Sequence, residues 1–268
     1  MNPELGVILA FNKPYRWTSF NLVAKVRGEL SHRLGVKKLK VGHAGTLDPL
    51  ATGVLIICTG KATKKIEELQ AGTKEYIASI KLGATTPSFD METPEDALYP
   101  TEHITQEKVE EVLKKFMGEI HQVPPTYSAV KIDGKRAFKY ARTGEAVELK
   151  PKTLVIDEME LLNFGWTQSE TNDEATAMDE KERINYQHTN LSAPYLQLTV
   201  RVVCSKGTYI RALARDIGEA LGSGGYLTGL TRTRIGAYTL NDCIDIETFP
   251  EWLDGQTLER LPKENENE

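Results

Sequence analysis

Cysteine is scarce in this chain of 268 residues: Cys58, Cys204 and Cys243 are all there is, odd in number and far apart. None belongs to a C-x-x-C pair with histidines nearby, so neither a disulfide framework nor a zinc site is favoured. Long apolar runs are missing too. No stretch approaches the ~18 residues a membrane-crossing helix needs, and the segment Met1 to Leu9 lacks the basic start of a secretory signal. The chain therefore reads as cytoplasmic, with no membrane partner. Nucleotide-cofactor signatures fail on inspection. Around Thr59-Gly60-Lys61-Ala62-Thr63, Leu55 stands where a phosphate loop needs its first glycine, and Ala62 where it needs a magnesium-binding hydroxyl. Gly222-Ser223-Gly224-Gly225 lacks the strand and the glycine spacing of a dinucleotide site. No cofactor and no metal are implied.

Net positive charge is absent as well: the total is −5, which at first argues against a polyanionic partner. The distribution reverses that judgement. Residues 1–90 hold 13 basic against 7 acidic side chains, residues 121–150 hold 6 against 3, and residues 201–240 hold 6 against 2. The acid is concentrated in residues 91–120, 151–200 and 241–268. Because charges more than about 8 Å apart are screened at physiological salt, a basic face can coexist with an acidic total. With 40% hydrophobic and 26% charged residues, the chain has the composition of a folded globular protein.

Residues 6–11 read as a buried strand, and Ser19 is placed to cap a helix on which Leu22, Val26, Leu30 and Leu34 recur every four residues. A basic run, Lys37-Lys38-Leu39-Lys40, leads into a glycine-rich loop and then a buried strand at residues 54–58. Residues 75–82, 154–164 and 195–204 are strand-like. Thr105 is placed to cap a helix bearing Val109, Val112, Leu113 and Phe116, and helix returns over residues 208–221. The expectation is a mixed α/β fold, with one largely antiparallel central sheet flanked by helices. Residues 1–250 read as one domain, residues 121–150 as an exposed, partly mobile segment, residues 165–192 as a polar surface insertion, and residues 251–268 as an acidic tail.

Three constellations can carry chemistry. Gly42-His43-Ala44-Gly45-Thr46-Leu47-Asp48-Pro49-Leu50-Ala51-Thr52-Gly53 presents one carboxylate on a loop whose glycines permit tight turns; an Asp before Pro is also a common turn residue. Cys204-Ser205-Lys206-Gly207-Thr208-Tyr209-Ile210-Arg211 runs from a strand through a glycine into a helix, with an arginine in the first turn, where the helix dipole disfavours a cation. That placement suits bidentate pairing with a carboxylate or phosphate, or simply a solvated side chain. The third is Lys74-Glu75-Tyr76, whose tyrosine either packs in a sheet or faces a ligand.

Residues 42–53 resemble the signature of TruB-type pseudouridine synthases. So do Asn12-Lys13-Pro14, Lys74-Glu75-Tyr76, Pro125-Thr126-Tyr127-Ser128-Ala129-Val130-Lys131 and residues 204–211, in matching order and spacing over roughly residues 5–245. The resemblance implies the pseudouridine synthase fold and cofactor-free isomerisation of the T-loop uridine at tRNA position 55. It implies Asp48 as catalytic carboxylate, Tyr76 against the target base and Arg211 paired with Asp48. His43, Tyr209 and Leu230 would line the uridine pocket, Lys13 with Pro14 would support its floor, and Lys131 with its basic neighbours would contact RNA. The partner implied is the T-arm of tRNA, and no protein partner. Two departures stand out: members of the family often carry a C-terminal RNA-binding domain, of which no full copy is apparent here, and the 165–192 insertion is long for the pattern.

Overall fold

The computed structural model describes residues 1–260 except 129, 133, 144, 146, 168–190 and 192. They form two compact units, Met1–Tyr76 with Thr231–Glu268, and Ile77–Leu230. The crossings at residues 76–77 and 230–231 fall inside strands, with no linker composition to mark them. No helix among the described residues is long and apolar enough to cross a membrane.

The first unit opens with β1 (Ile8–Lys13), α1 (Ser19–Leu34), β2 (Val41–Ala44), β3 (Ala51–Thr59), a 3-10 turn at Gly60–Lys65, α2 (Ile66–Ala71) and the start of β4 (Lys74–Leu82). The second unit continues with β5 (Ala84–Thr85), β6 (Ala97–Leu98), α3 (Gln106–Lys115), β7 (Gly118–Gln122), β8 (Lys131–Ile132), β9 (Lys135–Arg136) and α4 (Ala137–Thr143). It ends with β10 (Lys152–Trp166), β11 (Leu196–Cys204), α5 (Ile210–Ala220) and β12 (Gly225–Ile235), whose last residues re-enter the first unit. There β13 (Tyr238–Thr239), β14 (Cys243–Asp245) and α6 (Phe249–Asp254) follow.

In the first unit the strands run in the order β14–β1–β3–β12–β4, with β2 also on β3. The β1–β14 pair is parallel, whereas β1–β3 and β2–β3 are antiparallel. On α1, Leu22, Val26, Leu30 and Leu34 are all buried, as their spacing requires. The cap is Thr18 rather than Ser19: its Oγ accepts from Asn21 N at 3.0 Å while Asn21 Oδ1 accepts from Thr18 N at 2.9 Å, a reciprocal box worth about 1 kcal/mol. Gly35 ends the helix at φ 62°, and Val36 N donates back to Ser31 O at 3.0 Å. The end of the chain belongs to this core. Phe249 is fully buried, edge-on to Phe11 with ring centroids 5.0 Å apart, and Leu253 is buried beside it. Residues 251–254, expected as acidic tail, are therefore helical; residues 261–268 lie outside the described residues.

In the second unit the order is β12–β4–β11–β10–β7, with β10 antiparallel to both neighbours. Thr105 caps α3 by accepting from Lys108 N at 3.3 Å, and Val109, Val112 and Leu113 are buried, as their spacing predicts. On α5, Ile210, Leu213, Ala214 and Ile217 form the buried stripe. Strand β10 runs on to Trp166, and Thr167 N donates to Tyr195 O at 2.9 Å, so residues 165–167 continue the β10–β11 pair. The rest of the expected insertion, residues 168–190 and 192, lies outside the described residues. Within residues 121–150, β8 and β9 form a hairpin leading into α4, and the Lys135 ammonium lies 4.1 Å from the Tyr140 ring centroid. The fold is mixed α/β with a largely antiparallel sheet, as expected from the sequence.

Strands β2 and β12 share one edge of β3. β2 pairs with Ile56 to Thr59, and beyond its end the backbone of Arg232 presses on Gly53. Gly53 has φ 101°, and a Cβ there would lie 2.2 Å from Arg232 O. Gly53→Ala is expected to cost at least about 2 kcal/mol, from strain and the forced backbone shift together. Exposed Gly28 in α1 has nothing within 4 Å of an added Cβ, so Gly28→Ala is expected to gain up to about 1 kcal/mol. Urea unfolding of the two variants beside the parent checks both signs.

Candidate active site

The residues 45–50 loop between β2 and β3 carries Asp48 and is held at three points. At its start, Gly45 takes φ 89°, and the fully buried Arg232 donates from Nη2 to Gly45 O at 3.0 Å while its Nε donates to Val54 O at 2.8 Å. In the middle, the Ser19 hydroxyl accepts from Leu47 N at 2.9 Å and donates to Leu47 O at 3.0 Å. One residue inside the helix cap, Ser19 is thereby free of capping duty and buried under the loop. At the end, Pro49 O accepts from Arg16 N at 2.8 Å and from Lys13 Nζ at 3.3 Å. Ala51 N closes the turn on Asp48 O at 3.1 Å. Asp48 itself is partly exposed.

Lys13 has no exposed surface. Its ammonium donates to Pro14 O at 2.8 Å and Trp17 O at 2.6 Å as well as to Pro49 O, so all three protons are used on carbonyls. Burial lowers its pKa to about 8, opposed by the negative charge of Asp48 and assisted by the positive charge of Arg232. The resemblance places Lys13, with Pro14, under the floor of the substrate pocket, and here it lies fully buried beneath the loop. His43, on β2, is half-buried, and burial followed by the charge of Arg232 holds its imidazole below the usual histidine value, hence neutral at pH 7. Tyr76 is buried on β4 on the same face as Lys74 and Ala78. Lys74 donates to Gly72 O at 2.5 Å and to Gln70 O, and Glu75, on the opposite face, accepts from Thr233 Oγ1 at 2.8 Å.

In the second unit Arg211 sits in the first turn of α5, buried. Its Nη1 donates to Ser88 O at 3.1 Å and its Nη2 to Tyr127 O at 2.8 Å, and its Nε lies 3.5 Å from a carboxylate oxygen of buried Asp90. The residue before Asp90, Phe89, takes the left-handed φ of 60°, unusual for an aromatic side chain, with its carbonyl fixed by Leu227 N at 3.0 Å. Tyr209 is the N-cap of α5. The side-chain amide of buried Gln122 grips its backbone from both sides, accepting from Tyr209 N at 2.9 Å and donating to Tyr209 O at 3.2 Å. Leu230 is half-buried on β12, and Lys131 lies on the β8–β9 hairpin. The structure thus brings Lys13, Asp48, His43 and Arg232 together in the first unit, and Arg211, Asp90 and Tyr209 in the second. Sequence reasoning missed Ser19 as an anchor, and also Arg232, Asp90 and Gln122. The one available signal was period-2 placement, which puts Arg232 on the opposite face from Thr231 and Thr233.

Comparison with known proteins places the whole chain beside one family. Residues 32–176 match the family model described as TruB family pseudouridylate synthase (N terminal domain), and residues 211–262 match the tRNA pseudouridylate synthase B C-terminal domain. The second match shows that the end of the chain carries family sequence of its own where the sequence reading saw a tail. A protein of Phocaeicola vulgatus called tRNA pseudouridine synthase B is 58% identical over 98% of this chain and 100% of its own length. A protein of the same name from Flavobacterium johnsoniae is 46% identical over 94% and 100%. Among solved structures, a chain of a Cbf5-Nop10-Gar1 complex superposes with a TM-score of 0.62 at 26% identity, over 95% of this chain and 57% of that one.

The position of Lys13 generates a pH test. Between about pH 8 and the ordinary lysine value the unfolded chain binds this proton and the folded protein does not, so the contribution of Lys13 to stability rises with pH across that window. Lys13→Met is expected to lose about 1–3 kcal/mol at pH 7, from three carbonyls left without donors. It should also remove the pH-dependent rise. Thermal midpoints of both proteins between pH 7 and 10.5 check it: parallel curves would show that Lys13 does not titrate in this window.

Proposed function

The chain belongs to the TruB family of pseudouridylate synthases, and from that membership we propose that it isomerises the T-loop uridine at position 55 of tRNA to pseudouridine, with Asp48 as the catalytic carboxylate. The observation that carries this reading is the three-point hold on residues 45–49, which fixes a single acid on a loop between two buried cations. A merely structural turn needs no such support.

The reaction breaks the N1–C1′ bond, turns the uracil and joins C5 to C1′. The C5 proton is released and N1 gains one, so atoms and electrons balance without a co-reactant. An ionised Asp48 can serve by attack at C6, by attack at C1′ or by removing a sugar proton to give a glycal; all three need the negative charge. The nucleotide must leave its stack first, at a cost of a few kcal/mol. Tyr76 offsets that by stacking, worth about 1–3 kcal/mol, and its phenol is the base for the final C5 deprotonation. Neutral His43 occupies the space vacated in the RNA. The family likeness assigns to Arg211 the orientation of the reactive carboxylate, to Tyr209 and Leu230 the walls around the base, and to Lys131 and the basic hairpin around it contact with RNA phosphates.

Asp48→Asn keeps the shape and removes the charge. Turnover is expected to vanish while tRNA binding survives, measured as single-turnover tritium release from C5-labelled uridine with filter binding of the same tRNA. Isomerisation by the folded variant within about tenfold of the parent, some 1.4 kcal/mol in barrier, removes Asp48 as the reactive group. A parent protein that binds tRNA and releases no tritium reverses the whole assignment in favour of a binding module.

Arg211→Lys keeps the charge and loses the planar fork that reaches Asp90, Ser88 O and Tyr127 O at once. The single-turnover rate is expected to fall by about tenfold or more with tRNA affinity nearly unchanged. An unchanged rate would take Arg211 out of the reaction.

A further inference from the structure

On α1, away from the buried stripe, Arg27, Gly28 and Ser31 open a hollow of about 850 Å³ whose other wall is the run Lys37, Lys38 and Lys40. None of these four cations forms an ion pair with the described residues, although other cations of the same helix do: Lys25 pairs with Glu29 at 2.8 Å, and Arg33 with Asp254. No carboxylate lines the hollow, and no aromatic ring does. Its floor is low because Gly28 has open space where a side chain would stand.

We propose that this hollow is a second RNA contact, which takes the sugar-phosphate backbone of the tRNA outside the T-loop. Four unpaired cations around a wide, open floor suit a run of phosphates, because each neutralised phosphate releases condensed counterions. With no aromatic and no acidic side chain among the described residues that line it, it is a surface that positions RNA rather than one that stacks on bases. Its place on the helix sets which part of the RNA it meets. Ser19 anchors the Asp48 loop, and the hollow begins at Ala24 and ends at Ser31 on the same helix, roughly 8 to 18 Å further along at 1.5 Å per residue. A uridine presented at Asp48 therefore leaves the hollow to the phosphates of other nucleotides, which on this proposal belong to RNA packed beside the T-arm. The inference rests on the reading that Asp48 receives the T-loop uridine.

The test compares full-length tRNA transcript with an isolated T-arm stem–loop, using the parent chain and the triple variant Arg27→Gln, Lys37→Gln, Lys38→Gln. These side chains lie outside the candidate active site, and circular dichroism confirms folding. For full-length tRNA, KM is expected to rise about tenfold or more with kcat unchanged, and the slope of log affinity against log salt to flatten by about 2 to 3, near one unit for each phosphate no longer neutralised. For the stem–loop, both constants should stay within about twofold of the parent. Equal losses on both substrates, or none on either, overturn the proposal. If the parent isomerises neither substrate, the functional reading fails on its own; filter binding of full-length tRNA then still decides the hollow, because equal affinity of parent and variant removes it.

Discussion

Two buried cations grip the carbonyls at either end of one short loop, and the geometry of the first unit follows from that. Arg232 holds Gly45 O and Lys13 holds Pro49 O, with the Ser19 hydroxyl between them on Leu47. Burying charge is costly unless every donor is satisfied. Here the satisfaction comes from backbone carbonyls, so the loop cannot move without stranding an ammonium or a guanidinium. The backbone that carries Asp48 is thereby held by side chains buried beneath it. The close approach of Gly53 to the Arg232 backbone belongs to the same device, since it brings β12 near enough for the guanidinium to reach Gly45 and Val54 together.

The second unit solves the parallel problem for Arg211 by different means. Its guanidinium is fixed by Asp90 and two carbonyls, and Asp90 follows a residue in a strained backbone conformation. Such strain persists only where the surroundings over-determine it. At Phe89 they do so through the hydrogen bond from Leu227 N and the Arg215 guanidinium, 4.8 Å from the ring centroid. Both units thus build stiffness around one charged group, by buried partners in each case.

The elements were legible where a period was at work. Leu22, Val26, Leu30 and Leu34 announce the inner face of α1, and Val109, Val112 and Leu113 that of α3, because burial repeats with the turn of the helix. The glycine-rich loop was legible because glycines at such density are wanted for backbone conformations other residues resist, and Gly45 and Gly53 both have positive φ. What holds the loop was not legible. Ser19 reads as a cap, since the hydroxyl at the start of a helix is nearly always used there; only Thr18 taking that duty releases it. Arg232 and Asp90 are single polar residues in ordinary surroundings, and their partners lie far away in sequence. The helix at Phe249–Asp254 was hidden under acidic residues whose charges face outward, while Phe249 and Leu253 face in and Trp252 stacks on Phe249.

The first unit is discontinuous in sequence, and the second is one unbroken stretch. Strand β1 pairs in parallel with β14, and Phe11 packs on Phe249, so β1 finds two of its neighbours only in a segment far along the chain. The segment that carries the Asp48 loop therefore completes its packing only with residues far along the chain, Arg232 on Gly45 O and Phe249 on Phe11, so a break between the two stretches would cost the loop one of its holds.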